Sequence, residues 1–148
     1  MIVGGTGPAV AAAVLVVAGA AGAGVGLGAQ ALATSDDFFA EVARMLNPEP
    51  AQFVPGKFDT NGKWMDGWES RRKRVAGHDW ALIKLGVKGV IRGFDIDTSH
   101  FTGNYPPHCA IEACFIEEGD PSDETVWTEL LPKYPLGPSA HHFVEHGD

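Results

Sequence analysis

The sequence is short of positive charge and of closely paired metal-binding side chains. Lys and Arg number 11 against 19 Asp and Glu, which gives a formal net charge of −8. General binding to nucleic acid requires a broad basic surface, so no nucleic-acid partner is expected. The chain contains no CxxC or HxH pair, two of the closely spaced ligand patterns of zinc sites. Its 148 residues are enough for one domain with a real core, but not for two.

Charged side chains are absent from the first 35 residues. Residues 8–33 form an Ala, Gly and Val run with the length of a membrane span. However, the run has few large apolar side chains and no basic residue before it, so a membrane segment or a signal peptide is the alternative interpretation. The opening IVGGTGPA is similar to a dinucleotide-binding loop, but the strand before it is too short. We predict that residues 1–27 are a low-complexity extension outside the domain, which residues 28–148 form.

Only two cysteines are present, Cys109 and Cys114. Their odd spacing places them on opposite faces of a strand predicted over residues 108–117, so they are expected to stay unpaired. Free thiols are typical of a reducing compartment, which favours a cytoplasmic location.

Turn-forming residues are abundant, with 19 Gly and 10 Pro in the chain. From residue 56 onward they recur at intervals typical of an all-β protein. Ser35, Asp36 and Asp37 are candidate N-caps of one short helix over residues 38–46, and a hairpin-like link is predicted over residues 86–89. The predicted strands cover residues 28–33, 79–85, 89–97, 108–117 and 125–131, and a further strand begins at residue 141.

Positive charge is concentrated in the middle of the chain. Nine of the eleven Lys and Arg residues lie between residues 56 and 112, where only seven acids occur. This local reversal of the overall charge favours an anionic ligand near the cluster. Its densest part is the run Arg-Arg-Lys-Arg at residues 71–74.

The same region resembles a known family. The resemblance covers about residues 28–144 and identifies the chain as similar to the allantoicases. It is carried by WMDGWESRRKR at 64–74, GHDW at 77–80, GVIRGFDIDTSHFTGNYPP at 89–107, IEAC at 111–114, VPGKF at 54–58 and LGPSAHHF at 136–143.

This resemblance implies a jelly-roll β-sandwich of the galactose-binding-like type. Allantoicases are built from two tandem repeats and hydrolyse allantoate to ureidoglycolate and urea in purine catabolism. The chain corresponds to most of the first repeat, truncated at its C-terminus. The missing second repeat is therefore the implied packing partner, and a homo-oligomer is the alternative. A non-catalytic jelly roll that binds a small ligand without turnover is the alternative function.

The chemistry of allantoate indicates which side chains a site for it requires. Allantoate has one carboxylate and two ureido groups on a single carbon, and an arginine fork binds a carboxylate bidentately. The substrate-binding candidates are Arg71, Arg72, Arg74, Asn104 and His78. Release of urea requires an acid for the departing nitrogen and a base for water or a neighbouring N–H. The catalytic candidates are Asp97, His100, Glu69 and Asp66.

Asp97 and His100 form the sharpest catalytic hypothesis among these candidates. Asp97 ends a predicted strand and His100 lies in the loop after it, so a carboxylate is available to orient an imidazole. Other interpretations stay open, because the arginine run is also typical of an exposed loop. His100 is equally consistent with a loop histidine that hydrogen-bonds to the backbone. Asn104 equally suits the cap of a turn.

No cofactor is expected. A zinc or manganese site is the rival mechanism, and it would be built from His100, His108, Asp95 and Asp97.

Overall fold

The structure is a computed structural model that describes residues 28–146, together with the backbone of residues 3–5 and 11–18. A 3₁₀ helix, Val42–Leu46, lies between the third and fourth strands. The strands are β1 (Val3–Gly5), β2 (Ala11–Ala18), β3 (Gln30–Thr34), β4 (Phe58–Asp59), β5 (Gly62–Lys63), β6 (Trp68–Ser70), β7 (Asp79–Lys84), β8 (Gly93–Asp97), β9 (His108–Phe115), β10 (Thr128–Pro135) and β11 (His141–Glu145).

Five strands form the larger sheet, in the order β10-β9-β2-β7-β3. β10 runs antiparallel to β9, and β3 runs antiparallel to β7, whereas β2 lies between β7 and β9 and is parallel to both. Strands β8 and β11 form a separate antiparallel pair, in which His141 lies opposite Asp97. Two small pairs, β4 with β5 and β1 with β6, complete the topology of the described strands.

The main hydrophobic core lies between the larger sheet and the β8–β11 pair. Alternation along β7 turns Ala81 and Ile83 inward, and alternation along β9 does the same for Cys109 and Ile111. Ile96 of β8 packs against them from the other layer. Full burial of a side chain of this size stabilises the fold by roughly 1.5–3 kcal/mol. The described residues form a two-layer β-sandwich, which confirms the predicted all-β class.

Most predicted strands agree with the structure. β3, β7 and β9 begin within two residues of their predicted starts, and β11 begins at His141 as expected. β8 begins later than predicted, at Gly93. The predicted hairpin-like link over residues 86–89 is wrong, because β7 belongs to the larger sheet whereas β8 pairs with β11. The chain therefore crosses between the two layers at this point.

The helix predicted over residues 38–46 is shorter and tighter than expected, since only Val42–Leu46 is helical and the turn is 3₁₀. The peptide N–H groups of Phe39 and Ala40 donate to the carbonyl of Glu69 at 3.2 and 3.1 Å. These two residues therefore pair with β6 instead of opening a helix. Pro48 disfavours helical backbone at the residue before it, which is extended and ends the turn.

Both cysteines are unpaired and buried, which confirms the prediction for them. Burial raises the pKa of the Cys109 thiol to about 12. Among the described residues, no helix has the length and apolar character needed to cross a bilayer. Of the predicted N-terminal extension, β1 pairs with β6 and β2 pairs with β7 and β9. The rest of residues 1–27 lies outside the described residues, so the boundary of the domain at residue 28 stays a prediction.

Candidate functional site

A cavity of about 610 Å³ opens between the β4–β5 hairpin, strand β6, the loop after β8 and the loop before β11. Small-molecule sites commonly have volumes of about 300–1,000 Å³. The lining of the cavity combines apolar and aromatic side chains with an acid, an ammonium group, an imidazole, an amide and two hydroxyls. The lining residues are Phe39, Phe53, Gly62, Lys63, Met65, Glu69, Thr102, Asn104, His100 and Ser139.

Glu69 is the acid of this cavity. It is only 8% exposed, and antiparallel backbone hydrogen bonds with Ala40 hold β6 in position behind it. The side-chain amide of Asn104 donates to Glu69 Oε1 at 2.7 Å. Burial raises the pKa of the Glu69 carboxyl, and the hydrogen bond from Asn104 opposes that rise without cancelling it. A carboxyl group with this pKa retains its proton at a higher pH than an exposed glutamate does.

His100 supplies the imidazole, and its hydrogen bond identifies the tautomer. The ring Nε2 lies 3.2 Å from the carbonyl oxygen of Ala51. A carbonyl oxygen only accepts, so Nε2 carries the hydrogen and the neutral ring keeps a lone pair on Nδ1. The Phe53 ring lies beside the imidazole, with centroids 5.8 Å apart and planes at 31°. This lone pair makes His100 a candidate base.

Lys63 is the cation of the cavity, and it is not among the site residues predicted from the sequence. It ends the short β4–β5 hairpin, where it pairs with Phe58. The turn of this hairpin is formed by residues 59–62, which are turn-forming types, and the position of Lys63 directly after them was the available signal. Close packing also limits the size of the side chain at position 62, because a Cβ added at Gly62 would lie 3.3 Å from the Phe39 ring. The hairpin therefore sits tightly against one wall of the cavity.

The predicted arginines lie elsewhere. Arg71 donates to Asp36 through its side chain at 2.7 Å and through its peptide N–H at 2.8 Å. Burial raises the pKa of Asp36, but the hydrogen bonds from Arg71 and Phe38 and the charge of Arg71 together outweigh burial, and the net result is a lowered pKa. Arg72, Arg74 and His78 are exposed, and none of them lines the cavity.

The two predicted catalytic aspartates contact other groups. Asp97 is 5% exposed. It accepts a hydrogen bond from the peptide N–H of Ser99 at 2.7 Å, and its second oxygen lies 3.6 Å from His141 Nε2. Asp66 accepts from the peptide N–H of Gln52 at 2.8 Å. The imidazole beside Asp97 is therefore that of His141, while His100 bonds to backbone. Of the predicted residues, Glu69, His100 and Asn104 come together in the cavity.

The rival metal site has no matching cluster in the part of the chain that the structure describes, where no three His, Cys, Asp or Glu side chains group to hold an ion. His141 Nδ1 instead lies 3.0 Å from Asp95. Both ring nitrogens of His142 are engaged, because Nδ1 donates to the Ile96 carbonyl and Nε2 accepts from the Gly137 N–H, each at 2.8 Å.

Known proteins similar to this chain share one family name. A family model described as the allantoicase repeat matches residues 23–148. The probable allantoicase 1 of Burkholderia mallei (strain ATCC 23344) is 60% identical over 120 residues, which are 81% of this chain and 36% of that protein. The probable allantoicase of Rhizobium meliloti (strain 1021) is 60% identical over 121 residues, covering 81% of this chain and 35% of that protein.

Two solved structures resemble the fold. A structure of allantoicase superposes with a TM-score of 0.72 and 35% identity, covering 84% of this chain and 38% of that one. The crystal structure of allantoicase from Saccharomyces cerevisiae gives a TM-score of 0.65 and 33% identity, covering 81% and 36%. The chain spans about 35% of the length of the curated relatives it matches.

Proposed function

Because this chain belongs to the allantoicase family, we propose that its 610 Å³ cavity binds allantoate and supports hydrolysis to ureidoglycolate and urea. One observation carries the proposal. A buried carboxyl with a raised pKa, an imidazole with a lone pair on Nδ1 and a lysine line the same cavity. Acid, base and anion-binding group are the three functions that this hydrolysis requires.

In this proposal, Lys63 attracts the carboxylate of allantoate and the Glu69–Asn104 pair binds a ureido group. Lysine offers a point charge in place of an arginine fork, which suits a small anion that is oriented by other contacts. The paired carboxyl and amide present both acceptors and donors, so they match the N–H and C=O groups of a planar ureide. The rings of Phe39 and Phe53 supply the apolar part of the wall.

The proposed proton transfers use Glu69 as the acid and His100 as the base. His100 Nδ1 takes the N–H proton of the retained ureido group, a C=N bond forms, and the C–N bond to the departing group breaks. Glu69 donates its proton to the departing nitrogen, which leaves as urea. Water then adds to the C=N carbon and returns a proton to Glu69, while His100 returns its proton to the retained nitrogen. Atoms balance, and both residues end as they began.

Asp97 and Asp66 have supporting roles in this proposal. Asp97 caps the backbone at Ser99, one residue before His100, and Asp66 holds the peptide of Gln52, next to the carbonyl that binds the His100 ring. Both carboxylates therefore shape the loops around the imidazole. Packing against a second repeat, assembly as a homo-oligomer and a cytoplasmic location stay predictions from the family resemblance and the free thiols.

Incubation of the purified protein with allantoate tests the function directly. We expect release of urea and ureidoglycolate in equal amounts, measured by coupled assay and by NMR. A non-catalytic binding module would instead raise the thermal midpoint in allantoate without releasing urea. Folded protein that neither binds allantoate nor releases urea would reject both functions. Arg74→Met is the matched control, because Arg74 is exposed and lies outside the cavity.

A further inference from the structure

Two non-glycine residues with left-handed backbone contact each other in the cavity. His100 has φ 69° and Ser139 has φ 45°, and both line the 610 Å³ space. The peptide N–H of His100 donates to Ser139 Oγ at 3.2 Å. Residues with a Cβ rarely adopt this conformation, and those that do are enriched at binding and active sites. Their contact therefore makes the Ser139 hydroxyl a candidate ligand-binding group.

The surrounding protein holds this arrangement through a buried threonine. Thr98 is fully buried. Its hydroxyl donates to the carbonyl of Gly137 at 2.7 Å and accepts from the N–H of Ala140 at 3.1 Å. The peptide N–H of Ser139 donates to the carbonyl of Phe101 at 3.0 Å. The position of the Ser139 side chain is therefore determined before any ligand enters, which lowers the entropic cost of binding.

The hydrogen bond from His100 occupies one lone pair of Ser139 Oγ, so the hydroxyl hydrogen remains available for another acceptor. The carbonyl oxygen of a ureido group is an acceptor of this kind. A ligand with a single ureido group binds preferentially at Glu69 and Asn104, because that pair offers both a donor and an acceptor. Ser139 offers one donor, and a second ureido group is therefore required to reach it.

We propose that Ser139 is a specificity residue whose hydroxyl donates to the carbonyl oxygen of the second ureido group, which selects acids that carry two such groups. The inference rests on the proposed function, since it concerns the same cavity. It adds a residue that the proton-transfer steps do not use.

Calorimetric titration of the whole chain with two ligands tests this role. The ligands are allantoate and N-carbamoylglycine, which carries one ureido group. In Ser139→Ala we expect about a tenfold loss of allantoate affinity and less than about a twofold change for N-carbamoylglycine. Ser139→Gly gives the same tenfold loss, because the hydroxyl and not the strained backbone makes the contact. Ser99→Ala is the control, since Ser99 precedes His100 in the loop after β8 but does not line the cavity.

The outcomes separate this inference from the function on which it rests. Equal weakening of both ligands in Ser139→Ala indicates a structural role and overturns the inference, as does unchanged affinity for allantoate. Wild-type protein that binds neither ligand rejects the proposed function and the inference with it. Thermal midpoints of all three variants, measured in the same buffer, show whether each is folded.

Discussion

Asp79 and Glu69 are both buried carboxyl groups, but their surroundings differ. Asp79 of β7 is 4% exposed and Glu69 of β6 is 8% exposed. The Asp79 carboxylate accepts from three side chains, Ser35 Oγ at 2.9 Å, Ser70 Oγ at 3.1 Å and Lys73 Nζ at 3.3 Å. The Glu69 carboxyl receives the neutral amide of Asn104 and faces a cavity.

Partners rather than burial distinguish a structural carboxylate from a chemical one. A cation and two hydroxyls donate hydrogen bonds to Asp79 and connect β7 with β6 and with the residue that follows β3. Glu69 has a single neutral donor, so burial raises its pKa. The same comparison explains the basic run at residues 71–74, because Lys73 binds Asp79 and Arg71 binds Asp36. Those two cations stabilise the fold, whereas Lys63 faces the cavity.

Glu69→Gln gives the largest expected effect on the chemical side of the comparison. The glutamine side chain keeps an acceptor for Asn104 but has no acidic proton to donate, so we expect urea release to fall roughly 10²–10⁴-fold. Steady-state kinetics with allantoate measures the loss, and calorimetry checks that allantoate still binds. Retention of more than a tenth of wild-type activity would show that another group is the acid.

Asp79→Ala gives the largest expected effect on the structural side. The substitution leaves Lys73, the exposed Ser35 hydroxyl and the buried Ser70 hydroxyl without their acceptor, so we expect the free energy of unfolding to fall by about 3 kcal/mol. Urea denaturation measures this loss. At a temperature where the variant is folded, its affinity for allantoate should match that of the wild type. A variant that is fully stable but fails to bind would reverse the assignment of the two carboxylates.

Lys63→Met and Arg74→Met compare the two cationic regions. Loss of the cavity ammonium should weaken allantoate binding about tenfold, since a charged hydrogen bond to a carboxylate contributes about 1.5–3 kcal/mol. The Arg74 variant should bind within about twofold of the wild type, because its side chain is exposed outside the cavity. Titration calorimetry at one ionic strength measures both. The opposite ranking would move the carboxylate site to the basic run.

The pH dependence of stability gives the smallest effect. The folded-state pKa of Glu69 lies above its ordinary value of 4.5. The contribution of protonated Glu69 to the free energy of unfolding is therefore fully present below pH 4.5, and it is lost as pH rises through the folded-state pKa. We expect the wild type to lose stability relative to Glu69→Gln over that interval, measured by urea denaturation at a series of pH values. Parallel stability curves for the two proteins would show that burial does not raise the pKa of Glu69.

Three site residues were predictable from local sequence. Glu69 follows a tryptophan-rich motif, while His100 and Asn104 lie in a polar loop after a strand, where ligand-binding residues commonly occur. Local sequence could not rank the cations, because a run of four basic residues gives no sign of which acids lie opposite it. Lys63 and Ser139 were missed because a single lysine and a single serine do not stand out by charge density.

The sequence alone determined the all-β class, the positions of most strands, the unpaired cysteines and the family, because alternation, turn residues and motifs are properties of neighbouring residues. Tertiary structure decided which polar groups share a cavity. Asn104 reaches Glu69 across 35 residues of chain, and Ser139 reaches His100 across 39. Contacts over such separations depend on how the layers pack, and packing also sets the burial that raises the pKa of Glu69.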